Sequence, residues 1–249
     1  MNIWSNTLIS VCIVSSISLV GVFSLFFKPG FLQKILFYLV SFAVGGLLGD
    51  AFIHLLPEAY AKIGNSILTP VYIMFGLLFF FILEKILRWH HCKEYQCEPR
   101  VKPVVSIVLL GDTVHNFVDG MVIAASYLIN FQVGFSTTIA VILHEIPHEV
   151  GDFGVLINGG LSVKKALLFN FLSALAAILG AVVSLLLGPA IGGFSVALLP
   201  ITAGGFIYIA GSDLIPELHS QTTIPQSILQ LLFIIAGVAV MFTLLLFGS

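Results

Sequence analysis

The feature that most restricts this chain is a succession of apolar runs, each about 20 residues long, joined by short polar connections. As α-helices, runs of that length match the hydrocarbon thickness of a bilayer. Inside lipid only helices and closed barrels satisfy all their backbone groups. Eight runs are readable, at 5–27, 32–57, 68–88, 103–129, 133–157, 163–188, 193–216 and 226–247. The expected fold is an all-α integral membrane protein with eight transmembrane helices, forming a single transmembrane domain over 1–249. The first run lacks a basic n-region and a small-residue cleavage site, so it reads as a helix and not as a removed leader.

Charge supports the same reading. The chain is 59% hydrophobic and 9% charged, whereas a soluble domain carries about 25% charged residues. So few charges cannot cover a water-facing surface, and the implied partner is a lipid bilayer. A net charge of -2 offers no footprint for nucleic acid. There is no glycine-rich loop of the Walker or dinucleotide type. The longest polar stretch, 89–102, is too short for a soluble domain and holds His90, His91, Cys92 and Cys97. It reads as an ordinary polar loop, with metal collection as the alternative.

Lysine and arginine placement sets an expected orientation. Lys28, Lys34, Lys85, Arg88, Lys93, Arg100, Lys102, Lys164 and Lys165 fall on one side, and Lys62 alone on the other. The first side is then cytoplasmic and both termini face away from it. Either a plasma (inner) membrane or an organelle membrane is compatible with this pattern.

The second and seventh runs resemble each other. GGLLGDAFIHLLPE spans 45–58 and GGFIYIAGSDLIPE spans 204–217, each opening on a glycine pair and closing on Pro-Glu. His54 in the first copy stands where Asp213 stands in the second. The two runs cross the membrane in opposite senses. This predicts an inverted repeat, helices 1–3 and 6–8 around helices 4 and 5, an arrangement that places sites near the midplane.

Ionisable residues within a membrane helix are costly, and here they concentrate in the fourth and fifth runs. DTVHNFVDG supplies Asp112, His115, Asn116 and Asp119. His115 and Asp119 are four apart and share a face. HEIPHEVGD supplies His144, Glu145, His148, Glu149 and Asp152. His144, His148 and Asp152 form one stripe, with Glu145 and Glu149 on the next. Facing stripes of imidazole and carboxylate suit a divalent cation such as zinc, with other transition metals open. Polar bundle glue accounts poorly for so many ionisable groups. Pro147 removes one helix hydrogen bond and is expected to kink the fifth helix. On the second helix Asp50 and His54 share a face and read as ligands on the way in. Asp213 and Glu217, with Glu149 and Asp152, read as ligands on the way out.

His144-Glu145-Ile146-Pro147-His148 also fits the HExxH pattern of zinc peptidases. The alternative function is therefore an intramembrane metalloprotease. A proline between the histidines and a third acidic group, Asp119, upstream instead of downstream both count against it. No catalytic residue is assigned, and the chain is not read as an enzyme.

HNFVDG, HEIPHEVGDF, GDAFIHLLPEA and TAGGFIYIAGSDLIPEL together resemble the signatures of the ZIP (Zrt-, Irt-like) metal transporter family, in the subfamily with the HEIPHE motif. The resemblance implies a secondary transporter that carries zinc, or Fe2+, Mn2+ or Cd2+, into the cytoplasm. It implies a binuclear site with His115, Asp119, His144 and His148 at the primary metal, His54 nearby, and Asn116 and Glu145 at a second. It further implies an elevator-like motion of helices 1, 4, 5 and 6 against helices 2, 3, 7 and 8, and a homodimer.

Overall fold

A computed structural model describes residues 2–26, 29–89, 104–219 and 223–246. His90, His91, Cys92 and Cys97 lie outside the described residues, as do the side chains of Asp213 and Glu217. Every described element is helical. The order is α1 (Ile3–Ile17), a 3-10 stretch (Ser18–Phe26), α2 (Pro29–Gly49), a π-helical turn (Asp50–Leu55), α3 (Leu56–Ile63) and α4 (Leu68–Trp89). There follow α5 (Val104–Ile129), α6 (Phe131–Asn158), α7 (Val163–Ala174), α8 (Ala176–Ala190), α9 (Phe194–Tyr208), a second π-helical turn (Ile209–Leu214), α10 (Ile215–Leu218) and α11 (Ile224–Leu246).

Among the described residues, six helical stretches are long and apolar enough to cross a membrane: Ile3–Val22, Phe37–Ile63, Val108–Ile129, Val163–Ala190, Phe194–Ser212 and Ile224–Leu246. A shorter apolar helix covers Leu68–Leu83. The helix that holds His144, Glu145 and His148 is not among the six, because those polar residues lower its mean hydropathy. The protein is a multi-pass membrane protein. Its outer faces are apolar: Met74 and Phe75 on α4, and Leu231 and Ile235 on α11, are exposed as lipid-facing side chains should be.

Lipid gives apolar helices no hydrophobic reason to associate, so close packing must hold them. Reciprocal glycine contacts provide it. A Cβ on Gly120 of α5 would lie 1.8 Å from the Ala177 carbonyl oxygen of α8, and one on Gly180 of α8 would lie 1.9 Å from that of Phe117. The pairs α2–α11 and α4–α9 repeat the device. Gly45 meets the Ile234 carbonyl at 2.0 Å and Gly237 meets that of Phe42 at 2.3 Å. Gly204 meets the Ile73 carbonyl at 2.1 Å and Gly76 meets that of Ile201 at 2.0 Å. Only hydrogen fits at these positions.

The π-helical turns have a local cause. Proline has no N–H, and its ring clashes with the carbonyl four residues back. Pro57 and Pro216 follow the two turns, and the ladder widens ahead of each. The Leu56 N–H bonds to the Ala51 carbonyl and the Ile215 N–H to that of Ala210, each five residues back. The spacing that carries Gly45 onto Gly204 carries Asp50–Leu55 onto Ile209–Leu214. At Pro147, where the sequence predicts a kink, one rung of the ladder is missing for want of an N–H, yet α6 stays α-helical on both sides, from Phe131 to Asn158. α6 packs against α1, α2, α5 and α7, and such support lets a membrane helix tolerate a proline.

Candidate metal centre

The site forms where α5 and α6 face each other. Asn130 starts α6 cleanly: its side chain accepts a hydrogen bond from the Val133 N–H at 2.8 Å, an N-cap that satisfies one of the free amides of the first turn. From that start, helical periodicity brings His144 and Glu145 opposite His115 and Asp119 of α5. Among the described residues these four make the one cluster of three or more metal-ligating side chains, with ligand atoms all within 4.8 Å of one another.

The separations are informative. His115 Nε2 lies 3.2 Å from His144 Nε2, 3.1 Å from Glu145 Oε1 and 3.5 Å from Asp119 Oδ2. His144 Nε2 lies 3.4 Å from Asp119 Oδ2 and 3.5 Å from Glu145 Oε1. A tetrahedral ion with ligands at about 2.0–2.2 Å requires ligand atoms about 3.3–3.6 Å apart. These five separations therefore approximate the edges of a zinc coordination polyhedron. Asp119 Oδ2 and Glu145 Oε1 are buried with no hydrogen-bond partner. Carboxylate oxygens held in a low-dielectric interior with only imidazole nitrogens beside them are costly to bury, and a shared cation lowers that cost.

His144 is prepared for this role. Its Nδ1 lies 3.1 Å from the Ala140 carbonyl oxygen, which can only accept, so Nδ1 donates and, in the neutral ring, Nε2 presents the lone pair. The ring is fully buried and packs near Phe206 of α9.

The other sequence-predicted residues take distinct places. His148 stacks on His115, with ring centroids 5.0 Å apart, and directs Nδ1 toward Asp152 Oδ2 at 3.7 Å. Asn116 and Asp112 bond to each other, with Nδ2 donating to Oδ1 at 2.7 Å. Glu149 accepts from Asn170 of α7. Asp50 and His54, in the first π-helical turn, bring Oδ1 and Nδ1 within 3.2 Å, and Thr137 of α6 donates to Asp50 Oδ2 at 3.1 Å. Asp213 falls in the second π-helical turn and Glu217 in α10. Sequence reasoning missed Thr137, Asn170, Ser173 and the Ala140 carbonyl. Asn170 and Ser173 were visible as polar residues three apart in an otherwise apolar run.

Comparisons with known proteins agree with this chemistry. The family described as ZIP zinc transporter matches residues 2–102 and, in a second match, 90–245. The zinc transporter ZIP13 of Mus musculus is 36% identical over 253 residues, covering 84% of this chain and 70% of that protein. The zinc transporter ZIP13 homolog of Drosophila melanogaster is 32% identical over 279 residues, covering 84% and 77%. The zinc transporter zipt-7.1 of Caenorhabditis briggsae is 31% identical over 306 residues, covering 94% and 77%. The family consists of transporters and not of enzymes, which sets aside the metalloprotease reading of the HExxH pattern. On the family match over almost its whole length, the chain belongs to the ZIP zinc transporters.

Proposed function

We propose that this protein is a secondary transporter that moves zinc across a membrane into the cytoplasm, through a binuclear centre at mid-depth. The observation that carries the reading is the quartet His115, Asp119, His144 and Glu145, buried between two helices at the separations of a tetrahedral zinc ion. His148 completes or exchanges into the primary site by turning away from Asp152, and Asn116 joins Glu145 at the second ion. Asp50 and His54 receive the ion on the way in. Asp213, Glu217, Glu149 and Asp152 pass it on. Fe2+, Mn2+ and Cd2+ are competing cargoes, since mixed imidazole and carboxylate ligands accept several divalent ions. No nucleotide motif supplies energy, so movement follows a gradient or couples to another ion.

The architecture in this reading is eight membrane-spanning helices in an inverted repeat, with both termini on the non-cytoplasmic side, assembled as a homodimer. Two observations support the repeat. The π-helical turns occupy equivalent positions in the two copies. The glycine contact of α2 with α11 has its counterpart in that of α9 with α4, because the spacing that carries Gly45 onto Gly204 also carries Phe42 onto Ile201.

Uptake of radioactive zinc into proteoliposomes tests the function. Zinc-dependent uptake should be lost in His144→Ala and His115→Ala, and competing Fe2+, Mn2+ and Cd2+ should rank the cargoes. Wild-type vesicles that bind zinc without equilibrating it would leave a sensor in place of a transporter.

A further inference from the structure

The helix α7 touches no atom of the ligand quartet in any contact described above, yet it grips both ligand-bearing helices. On α5, Asn116 Nδ2 donates to Asp112 Oδ1 at 2.7 Å and to the Asp112 backbone carbonyl at 3.2 Å. The other carboxylate oxygen of Asp112 is hydrogen-bonded to Ser173 Oγ of α7, whose one hydroxyl hydrogen is also within reach of the Asn170 carbonyl at 2.8 Å and the Phe169 carbonyl at 3.1 Å. One turn earlier on α7, Asn170 Nδ2 donates to Glu149 Oε2 of α6 and, at 3.2 Å, to the Ser18 carbonyl at the end of α1. Asp112, Asn116, Glu149, Asn170 and Ser173 are all at least nine-tenths buried.

These bonds fix which end of each amide points where. Both partners of Asn116 Nδ2 are oxygen acceptors, so only the NH2 group can face them. The same holds for Asn170. The Oδ1 atoms of Asn116 and Asn170 are consequently turned away, and each is buried with no hydrogen-bond partner. A network that served only to glue helices would satisfy its acceptors. This one ends in an unpaired amide oxygen on the residue next to His115.

We propose that Ser173 is a positioning residue of the metal centre: by holding Asp112 it locks the Asn116 amide with its oxygen, and not its NH2, presented to the second ion. This rests on the reading of Asn116 as a ligand. An amide free to turn over would present a donor to a cation and lose the site. With Asp112 pinned by Ser173, turning over would set the amide oxygen against a carboxylate. Asn170 holds Glu149 in parallel, so two residues three apart on α7 each tie down one carboxylate, on α5 and on α6.

The test is stepwise zinc binding to the purified full-length protein, by competition with a chromophoric chelator, with thermal unfolding followed on the same samples. Ser173→Ala should weaken the second zinc equivalent about 10-fold or more, as loss of an orienting partner does, while the first equivalent and the unfolding temperature stay as in wild type. Ser173→Thr, which keeps the hydroxyl, should restore the second step. In an Asn116→Ala background Ser173→Ala should add nothing, because it acts through Asn116. If Ser173→Ala does not fold, the near-isosteric Ser173→Cys, a weak donor, should show the same selective loss in reduced degree. The proposal is overturned if the second step is unchanged, if both steps weaken together, or if the losses add in the Asn116→Ala background. Binding that ignores His144→Ala would overturn the metal-site reading itself. Binding that depends on His144 but not on Ser173 overturns only this inference.

Discussion

The Nε2 atoms of His115 and His144, on two different helices, stand 3.2 Å apart. The Nδ1 of His144 faces the Ala140 carbonyl, so in the neutral ring Nε2 is the nitrogen free to ligate. Two imidazole nitrogens with carboxylate oxygens at 3.1 and 3.4 Å form a closed set of donors around one point. His144→Ala removes a buried ligand and should weaken zinc binding at the primary site by at least about 10-fold, the lower end for even an outer-shell loss. Glu145→Gln keeps the shape but removes a negative charge, and should lower affinity less than His144→Ala. Isothermal titration with zinc orders the two variants.

Zinc binding should depend on pH in a known direction. Imidazole must be deprotonated to ligate, so protons compete with the metal. Affinity should fall as the pH is lowered. With two histidines in the quartet the loss approaches about 100-fold per pH unit at low pH. A titration series from pH 8 to pH 5, those limits being roughly the range over which histidine charge changes, measures the slope. An unchanged affinity at low pH would remove the histidines from the site.

Backbone contact through glycine makes a sharper packing prediction than any apolar side chain. A Cβ on Gly45 would sit 2.0 Å from the Ile234 carbonyl oxygen, and one on Gly204 2.1 Å from that of Ile73. Gly45→Leu and Gly204→Leu should each separate a helix pair and cost at least about 1–3 kcal/mol. Lower unfolding temperatures of the purified protein, with similar losses for the two positions, would match their equivalent places. Gly151→Ala meets open space and serves as the control.

Pro57→Ala restores an N–H after the first π-helical turn. The ladder can then return to α-helical register, which turns Asp50 and His54 relative to α3 by about 100°, one residue's rotation. Zinc uptake should fall while the folded yield stays near wild type, and Pro216→Ala should act likewise at the second turn. Hydrogen exchange across 50–57 should report the tightened ladder.

Much of this site was legible in the sequence because its determinants are periodic and local. His115 with Asp119, Asp50 with His54, and His148 with Asp152 are four apart, and each pair is close in space. Helix geometry guarantees that without tertiary information. The apolar runs likewise announce membrane helices through length alone. The composition of the ligand quartet was not local. Whether Glu145 or His148 meets His115 and Asp119 depends on the rotation of α6 about its axis against α5, and neighbouring residues on a helix differ by about 100°. The packed structure directs Glu145 inward and leaves His148 stacked on His115 beside Asp152. The Ser173 and Asn170 clamp was equally invisible, since it joins residues far apart in the chain. Sequence alone determined that a membrane helix pair carries clustered imidazole and carboxylate side chains of the kind that can hold a metal. Only tertiary packing decided which atoms converge, because convergence is set by distances between helices and not by the period within one.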